Sequence, residues 1–153
     1  MEDVREAKGE DVPRLKELLA MGVAATTNDR GASLFRYTER SAPPEARVEA
    51  ALDDPDKLLL AGLVEDYVVG ISMVVLDQTV AKGPLGVVEE LFVEDAARGV
   101  GVGEALLDAA VLWCRRRQCV GVDVAALPGD RAAKNLCERS GFRARLLVMH
   151  RSL

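Results

Sequence analysis

Histidine occurs once in this chain of 153 residues, aromatic residues make up 4% of it, and cysteine occurs three times. Cys114, Cys119 and Cys137 are odd in number and form no CxxC pair, so a disulfide framework and a Cys/His zinc site both drop out and no metal is expected. No apolar run approaches the ~20 residues of a membrane span, so no membrane partner is expected. The opening residues Met1-Glu2-Asp3-Val4-Arg5 are charged where a signal peptide would be apolar, which together with reduced thiols makes a cytoplasmic location the expectation. Positive charge is also short: 20 Lys+Arg stand against 25 Asp+Glu, a net charge of −5. Non-specific nucleic-acid binding draws on cations that neutralise phosphates, so no nucleic-acid partner is expected. Internal repeats and low-complexity tracts are absent as well.

What is present is ordinary globular material, 49% apolar and 29% charged, in a length that suits one domain over residues 1–153. A short strand is expected over 3–7. A helix follows, capped by Asp11, eased by Pro13, carrying Val12, Leu15, Leu18 and Leu19 on one stripe and stopped by Gly22. Residues 23–43 keep no period and mix Phe35, Arg36, Tyr37 and Arg40; they read either as a binding loop or as a plain surface connection. Pro43-Pro44 opens a second helix to about Leu52. Two β-branched runs, Leu58 to Val64 and Tyr67 to Leu76, are parted by Glu65-Asp66 and predict an antiparallel hairpin. A strand over 87–93, a strongly amphipathic helix over 101–117, a strand over 120–126, a helix over 130–140 and a final strand over 145–151 complete the chain. Arg115, Arg116 and Arg117 close the long helix, where cations suit the negative end of its dipole. Strand, helix and strand from 87 to 126 demand a right-handed parallel crossover. The expected fold class is therefore α/β: a mixed, mostly antiparallel twisted sheet with flanking helices and one parallel crossover.

The chemical signal is Arg98-Gly99-Val100-Gly101-Val102-Gly103, set between a strand and the long helix. Helix-start amides are unpaired and carry positive potential, and glycine lets a phosphate reach the main chain. The same glycines would also serve tight helix–sheet packing, and spacing alone does not separate the two uses. A dinucleotide fingerprint fails because Glu104 stands where its third glycine belongs, although Asp123 lies near the spacing of a ribose-binding acid. A phosphate loop of the Walker type fails because no Lys-Ser or Lys-Thr follows.

At these residues the chain resembles the GNAT superfamily of acetyl-CoA-dependent N-acetyltransferases. That family's signature runs Gln or Arg, two residues, Gly, one residue, Gly or Ala; Arg98, Gly101 and Gly103 match it. A second hallmark, ending in Gly-Phe, is similar to the stretch from Asp130 through Ala133, Leu136, Cys137, Glu138 and Arg139 to Gly141-Phe142. The resemblance covers about residues 58–151 and implies a GNAT-like acyl-CoA N-acyltransferase fold. It implies acetyl-CoA as co-substrate, its diphosphate cradled by the backbone of Arg98, Gly99, Val100, Gly101, Val102, Gly103 and Glu104. It also implies that the strands at 87–93 and 119–126 splay, freeing main-chain groups of Leu91, Phe92 and Val93 for the pantetheine arm.

The implied reaction is direct attack of an amine on the thioester. An alkyl ammonium holds its proton at neutral pH, so a base is wanted, and Glu89 and Glu90 are the candidates. Strand alternation lets one of the two face the cleft, and the family's frequent carboxylate at this position favours Glu89. A solvated strand edge is the competing role for both. The family's tyrosine, which protonates the leaving thiolate, is replaced by Cys137. That residue is either a short-reach acid or helix packing, with Tyr67 and Tyr37 as further candidates. Asp130 stands where the family often has Asn, which makes helix capping its expected role, and His150 reads as a strand residue. The acceptor would be a small-molecule or peptide amine lying beside residues 23–43, and a homodimer is left open. The missing tyrosine motivates an alternative function, an acyl-CoA-sensing module without turnover.

Overall fold

The computed structural model describes residues 1–29, 32 and 43–153. Its strands are β1 (Glu2–Glu6), β2 (Lys57–Val64), β3 (Tyr67–Asp77), β4 (Leu85–Val93) and β5 (Gly121–Val124). Its helices are α1 (Val12–Thr26), α2 (Pro44–Leu52), α3 (Val102–Arg116) and α4 (Arg131–Arg139). Among the described residues these strands form one sheet in the order β1-β2-β3-β4-β5. The first three pairings are antiparallel, while β4 and β5 run parallel with α3 between them in the chain. The mixed sheet read from hairpin signals followed by a crossover is the sheet observed.

Each face of the sheet carries its own apolar layer. Leu58, Leu60, Val74 and Val88 turn to α3, where Val102, Leu106, Leu107, Ala110 and Cys114 form the buried stripe. On the opposite face Leu59, Ala61, Ile71 and Met73 meet Leu15, Leu18 and Leu19 of α1 and Val48 of α2. Burying one such leucine contributes about 1.5–3 kcal/mol, so the alternation of β2 and β3 fixes which face each helix must cover.

Three expectations are corrected. First, α1 does not stop at Gly22 but continues to Thr26. A Cβ at Gly22 would come within 3.1 Å of the Phe92 ring, so this glycine admits the close approach of α1 to β4. Second, Asp11 precedes α1 without capping it through its side chain. Its carboxylate instead accepts from the Lys8 backbone amide at 2.7 Å and from Arg5 at 2.7 and 3.1 Å. The charged donors of β1 outbid the helix amides. Third, the final strand expected over 145–151 is not paired: residues 142–153 carry no regular structure. β-propensity makes a strand only where a neighbouring edge receives it. Of the stretch 23–43, residues 23–26 belong to α1, and Phe35, Arg36, Tyr37 and Arg40 lie outside the described residues.

Candidate active site

The parallel ladder between β4 and β5 begins at Leu85↔Gly121 and ends at Val88↔Val124. β4 continues five residues further, to Val93, and among the described residues no strand lies on that side of it. Backbone groups at such an edge need partners, and a ligand with amides can supply them. The expected splay thus falls beside Leu91, Phe92 and Val93. The Glu94 amide donates to Val69 of β3, so by alternation the main-chain groups of Phe92 face Ile71 in the β3 ladder, against expectation, and those of Leu91 and Val93 face the open side, where the Val93 carbonyl accepts from Arg98 Nε at 3.0 Å. Arg98 also pairs with Asp95 at 3.1 Å and lies over the Phe92 ring at 5.7 Å. Its guanidinium braces the end of β4.

The start of α3 follows the end of β4 in the chain and packs through Val102 against Gly62 of β2 and Gly70 of β3. Gly99 and Gly101 have φ of +85° and +96°, and Gly101 is the left-handed residue that begins the helix. A side chain in that conformation costs roughly 1–2 kcal/mol. A Cβ at Gly99 would meet nothing within 4 Å, so the turn presents bare main chain to its surroundings. The first helical bond runs from the Ala105 amide to the Gly101 carbonyl at 3.0 Å, leaving the amides before it at the positive end of the helix. Gly103 differs from its neighbours, because a Cβ there would sit 2.9 Å from Leu136 Cδ2 on α4. Gly99 and Gly101 shape the turn, and Gly103 admits a helix–helix approach where the sequence suggested helix–sheet packing. Val102 is buried in the α3 layer and Val100 is half exposed. Glu104 pairs with Arg139 at 2.9 Å, and that guanidinium holds its carboxyl below the usual range.

Glu89 and Glu90 do not alternate across the sheet. Met73 pairs with Glu90 while Val74 pairs with Val88, so Glu89 is the extra residue of a β-bulge. A bulge sets two successive side chains on one side of the strand. Both carboxylates accordingly reach a single guanidinium: Arg47 of α2 donates to Glu90 Oε1 at 2.8 Å through Nη1 and to Glu89 Oε2 through Nη2. Arg47 and Glu90 are buried, with side chains 10% and 8% exposed, while Glu89 keeps 23% of its side chain accessible. The expectation that one glutamate alone faces this side is thereby overturned. Arg47 was missed in the sequence because nothing in a short Ala/Glu-rich helix marks an arginine as buried. A Glu-Glu pair inside an otherwise apolar strand was the signal that a cation had to meet it.

Cys137 lies in the apolar layer beneath α3 and is 8% exposed. Burial pushes its thiol up, and Asp130 and Glu138 add to the rise. Asp130 caps α4 as expected, accepting from the Ala133 amide at 3.1 Å. Tyr67 is exposed at the β2–β3 turn, and Tyr37 lies outside the described residues. Asp123 is engaged by Arg145 at 2.8 Å, and His150 is an exposed residue without strand pairing. Past the C-terminal end of β5, a depression between α1 and the loop before α4 is lined by Asn28, Asp29, Pro128, Gly129 and Arg131.

The sequence profile of the acetyltransferase (GNAT) family matches residues 24–142. No curated protein matches the sequence. Among solved structures, the BH1408 protein from Bacillus halodurans superposes with a TM-score of 0.82 at 20% identity over 99% of both chains. AAC(6')-Iy in complex with the bisubstrate analog CoA-S-monomethyl-acetylneamine gives 0.73 at 15% identity, covering 100% of this chain and 99% of that one. A ribosomal-protein-alanine N-acetyltransferase from Brucella melitensis biovar Abortus 2308 gives 0.71 at 18%, covering 100% and 99%. With the profile spanning most of the sequence and the fold shared over whole chains, this chain belongs to the GNAT acetyltransferase family.

Proposed function

We propose that residues 1–153 form one acetyltransferase domain that moves acetyl from acetyl-CoA to a primary amine. The observation that carries this reading is the unshared β4 edge followed in the chain by the bare glycine turn that opens α3. The amides from Gly99 to Glu104 would take the diphosphate, whose charge matches the helix end. Main-chain groups of Leu91, together with the Val93 amide, would take the pantetheine arm. These residues fit the co-substrate: glycine side chains are absent where a bulky phosphate must approach, and the strand edge is unshared where an amide must pair.

The chemistry then asks for a neutral amine beside the thioester. The lone pair of the amine nitrogen attacks the carbonyl carbon, the carbon–sulfur bond breaks, and the electron pair leaves as coenzyme A thiolate. Glu89 would accept the ammonium proton, directly or through one water; its being the more exposed of the two bulge carboxylates supports this role. Glu90 and Arg47 would position it. No side chain is assigned to the thiolate, which takes its proton from solvent. The acceptor, a small molecule or a peptide terminus carrying an amine, would approach from the side of α2, whose Arg47 holds Glu89. Three free cysteines suit the reducing cytoplasm, where we place the protein.

A second reading is an acyl-CoA-binding module without turnover, favoured by a buried cysteine at the position of the family's tyrosine. Free-thiol release from acetyl-CoA across a panel of amines, beside calorimetric titration with coenzyme A, separates the two. Amine-stimulated release supports the transferase. Tight coenzyme binding without release supports the sensor, and no heat of binding removes both.

A further inference from the structure

The C-terminal end of α3 closes in two nested main-chain bonds. The Cys119 amide donates to the Cys114 carbonyl at 3.0 Å, and inside that bond the Gln118 amide donates to the Arg115 carbonyl at 3.0 Å. Gln118 stands in the left-handed region at φ +58°. This is the Schellman arrangement, whose outermost pair of residues brings its side chains together across the turn. The contact is ordinarily made by two apolar side chains; here both positions are cysteines.

Both side chains enter the same layer. Cys114 is buried beneath α3, and Cys119 packs against that layer half-buried. Cys114 Sγ fills the notch left by Gly86 of β4, which has no side chain to occupy it. Burial pushes the Cys114 thiol up to about 12, and the Cys119 thiol adds to the rise through its charge and a hydrogen bond, so the two sulfurs are neighbours. A disulfide needs its two Cα atoms within about 7 Å. The bond from the Cys119 amide to the Cys114 carbonyl secures this, because peptide dimensions allow no wider spacing across 3.0 Å. The main chain already meets the requirement, and only the side chains have to turn.

We propose that Cys114 and Cys119 form a reversible redox site, a dithiol that a low-molecular-weight disulfide such as oxidised glutathione closes to an intramolecular disulfide. The Cys119 thiol, the more accessible of the two, loses its proton to solvent and attacks one sulfur of the glutathione disulfide. A protein–glutathione bond forms and one glutathione thiolate leaves. Cys114 then loses its proton to solvent, its sulfur attacks that of Cys119, and the second glutathione thiolate leaves. Two electrons pass from the protein thiols to glutathione, and excess reduced glutathione reverses both exchanges. The closed ring ties the last turn of α3 to the entry of β5, at the opposite end of that helix from the glycine turn. The site is independent of which amine, if any, the protein acetylates.

The native full chain incubated with oxidised glutathione is expected to lose two hydrogens by intact mass and to keep no glutathione. Trypsin parts the two cysteines at Arg115, Arg116 and Arg117, so after alkylation of remaining thiols peptides 99–115 and 118–131 should appear as one linked species that dithiothreitol separates. Cys137→Ser should leave the link intact. Cys114→Ser should stop the reaction at a stable glutathione adduct on Cys119, and Cys119→Ser should give neither product. Circular dichroism checks that the variants fold, and the wild-type peptide map decides by itself where one does not. A wild-type chain that keeps glutathione on Cys119, stays reduced, links Cys137 instead, or joins the two peptides only in urea overturns the proposal.

Discussion

Arg47 and Glu90 stand 43 residues apart in the chain and meet at 2.8 Å inside the protein, with Glu89 held by the other arm of the same guanidinium. A helix from one side of the sheet thereby closes on a bulge in the middle of it. Removing one partner of a buried ion pair costs about 3–5 kcal/mol, because the charge left behind stays desolvated. Arg47→Met is therefore expected to lower the unfolding free energy by an amount of that order in a urea titration, at unchanged slope. Glu90→Gln added to it should restore part of the loss. A surface-like effect below about 0.5 kcal/mol would show that the cluster is solvated.

The bulge distinguishes the two glutamates by exposure, and their variants should differ in kind. Glu89→Gln is expected to reduce kcat/KM for amine acetylation by roughly 10²–10⁴-fold, with the affinity for coenzyme A unchanged. Glu90→Gln should act mainly on stability. Steady-state rates and calorimetry on both variants test this, and a larger rate loss from Glu90 would reverse the roles.

Gly101 begins α3 at φ +96°, and a Cβ there would lie at an ordinary 3.6 Å from the Glu2 carboxylate. The obstacle is the backbone conformation, not space. Gly101→Ala should cost about 1–2 kcal/mol of stability by thermal melting. It should also weaken coenzyme A binding, because the relaxed turn withdraws its amides. Gly103→Ala, which presses on Leu136, should destabilise with a smaller effect on binding.

Cys137 is packing in the α3 layer. Cys137→Ala is expected to cost about 1 kcal/mol in an unfolding titration, the usual size for a small core truncation. Its kcat should stay at the wild-type level. A large fall in kcat at constant KM would make the thiol the proton donor.

The Arg5 guanidinium, with help from the Lys8 amide, holds the Asp11 carboxyl below its ordinary range against the opposing effect of burial. A carboxyl depressed in the folded state adds stability above its unfolded value of about 3.9. That stability drains as pH falls through the lower folded value. Wild type should exceed Asp11→Asn in unfolding free energy at pH 7, and the gap should close below about pH 4. A gap that persists into acid would mean that the bond is indifferent to charge.

Local pattern in the sequence was enough to determine the hairpin, the long helix, the crossover and the glycine turn. Periods of two and of 3.6, and the need for left-handed residues at a helix start, are properties of neighbouring residues. The family followed from residues 98–103 and 130–142 for the same reason. Only the tertiary structure decided that Glu89 and Glu90 share a side, since a bulge is defined by the partner strand's register. The burial of Arg47 among them depends on its reach from α2, which packs on β2, to the bulge of β4. Gly22 reads as a helix stop until Phe92 is seen against it, and residues 145–151 read as a strand although they pair with none. Strand pairing and burial are relations between distant parts of the chain, and no window of neighbouring residues contains them.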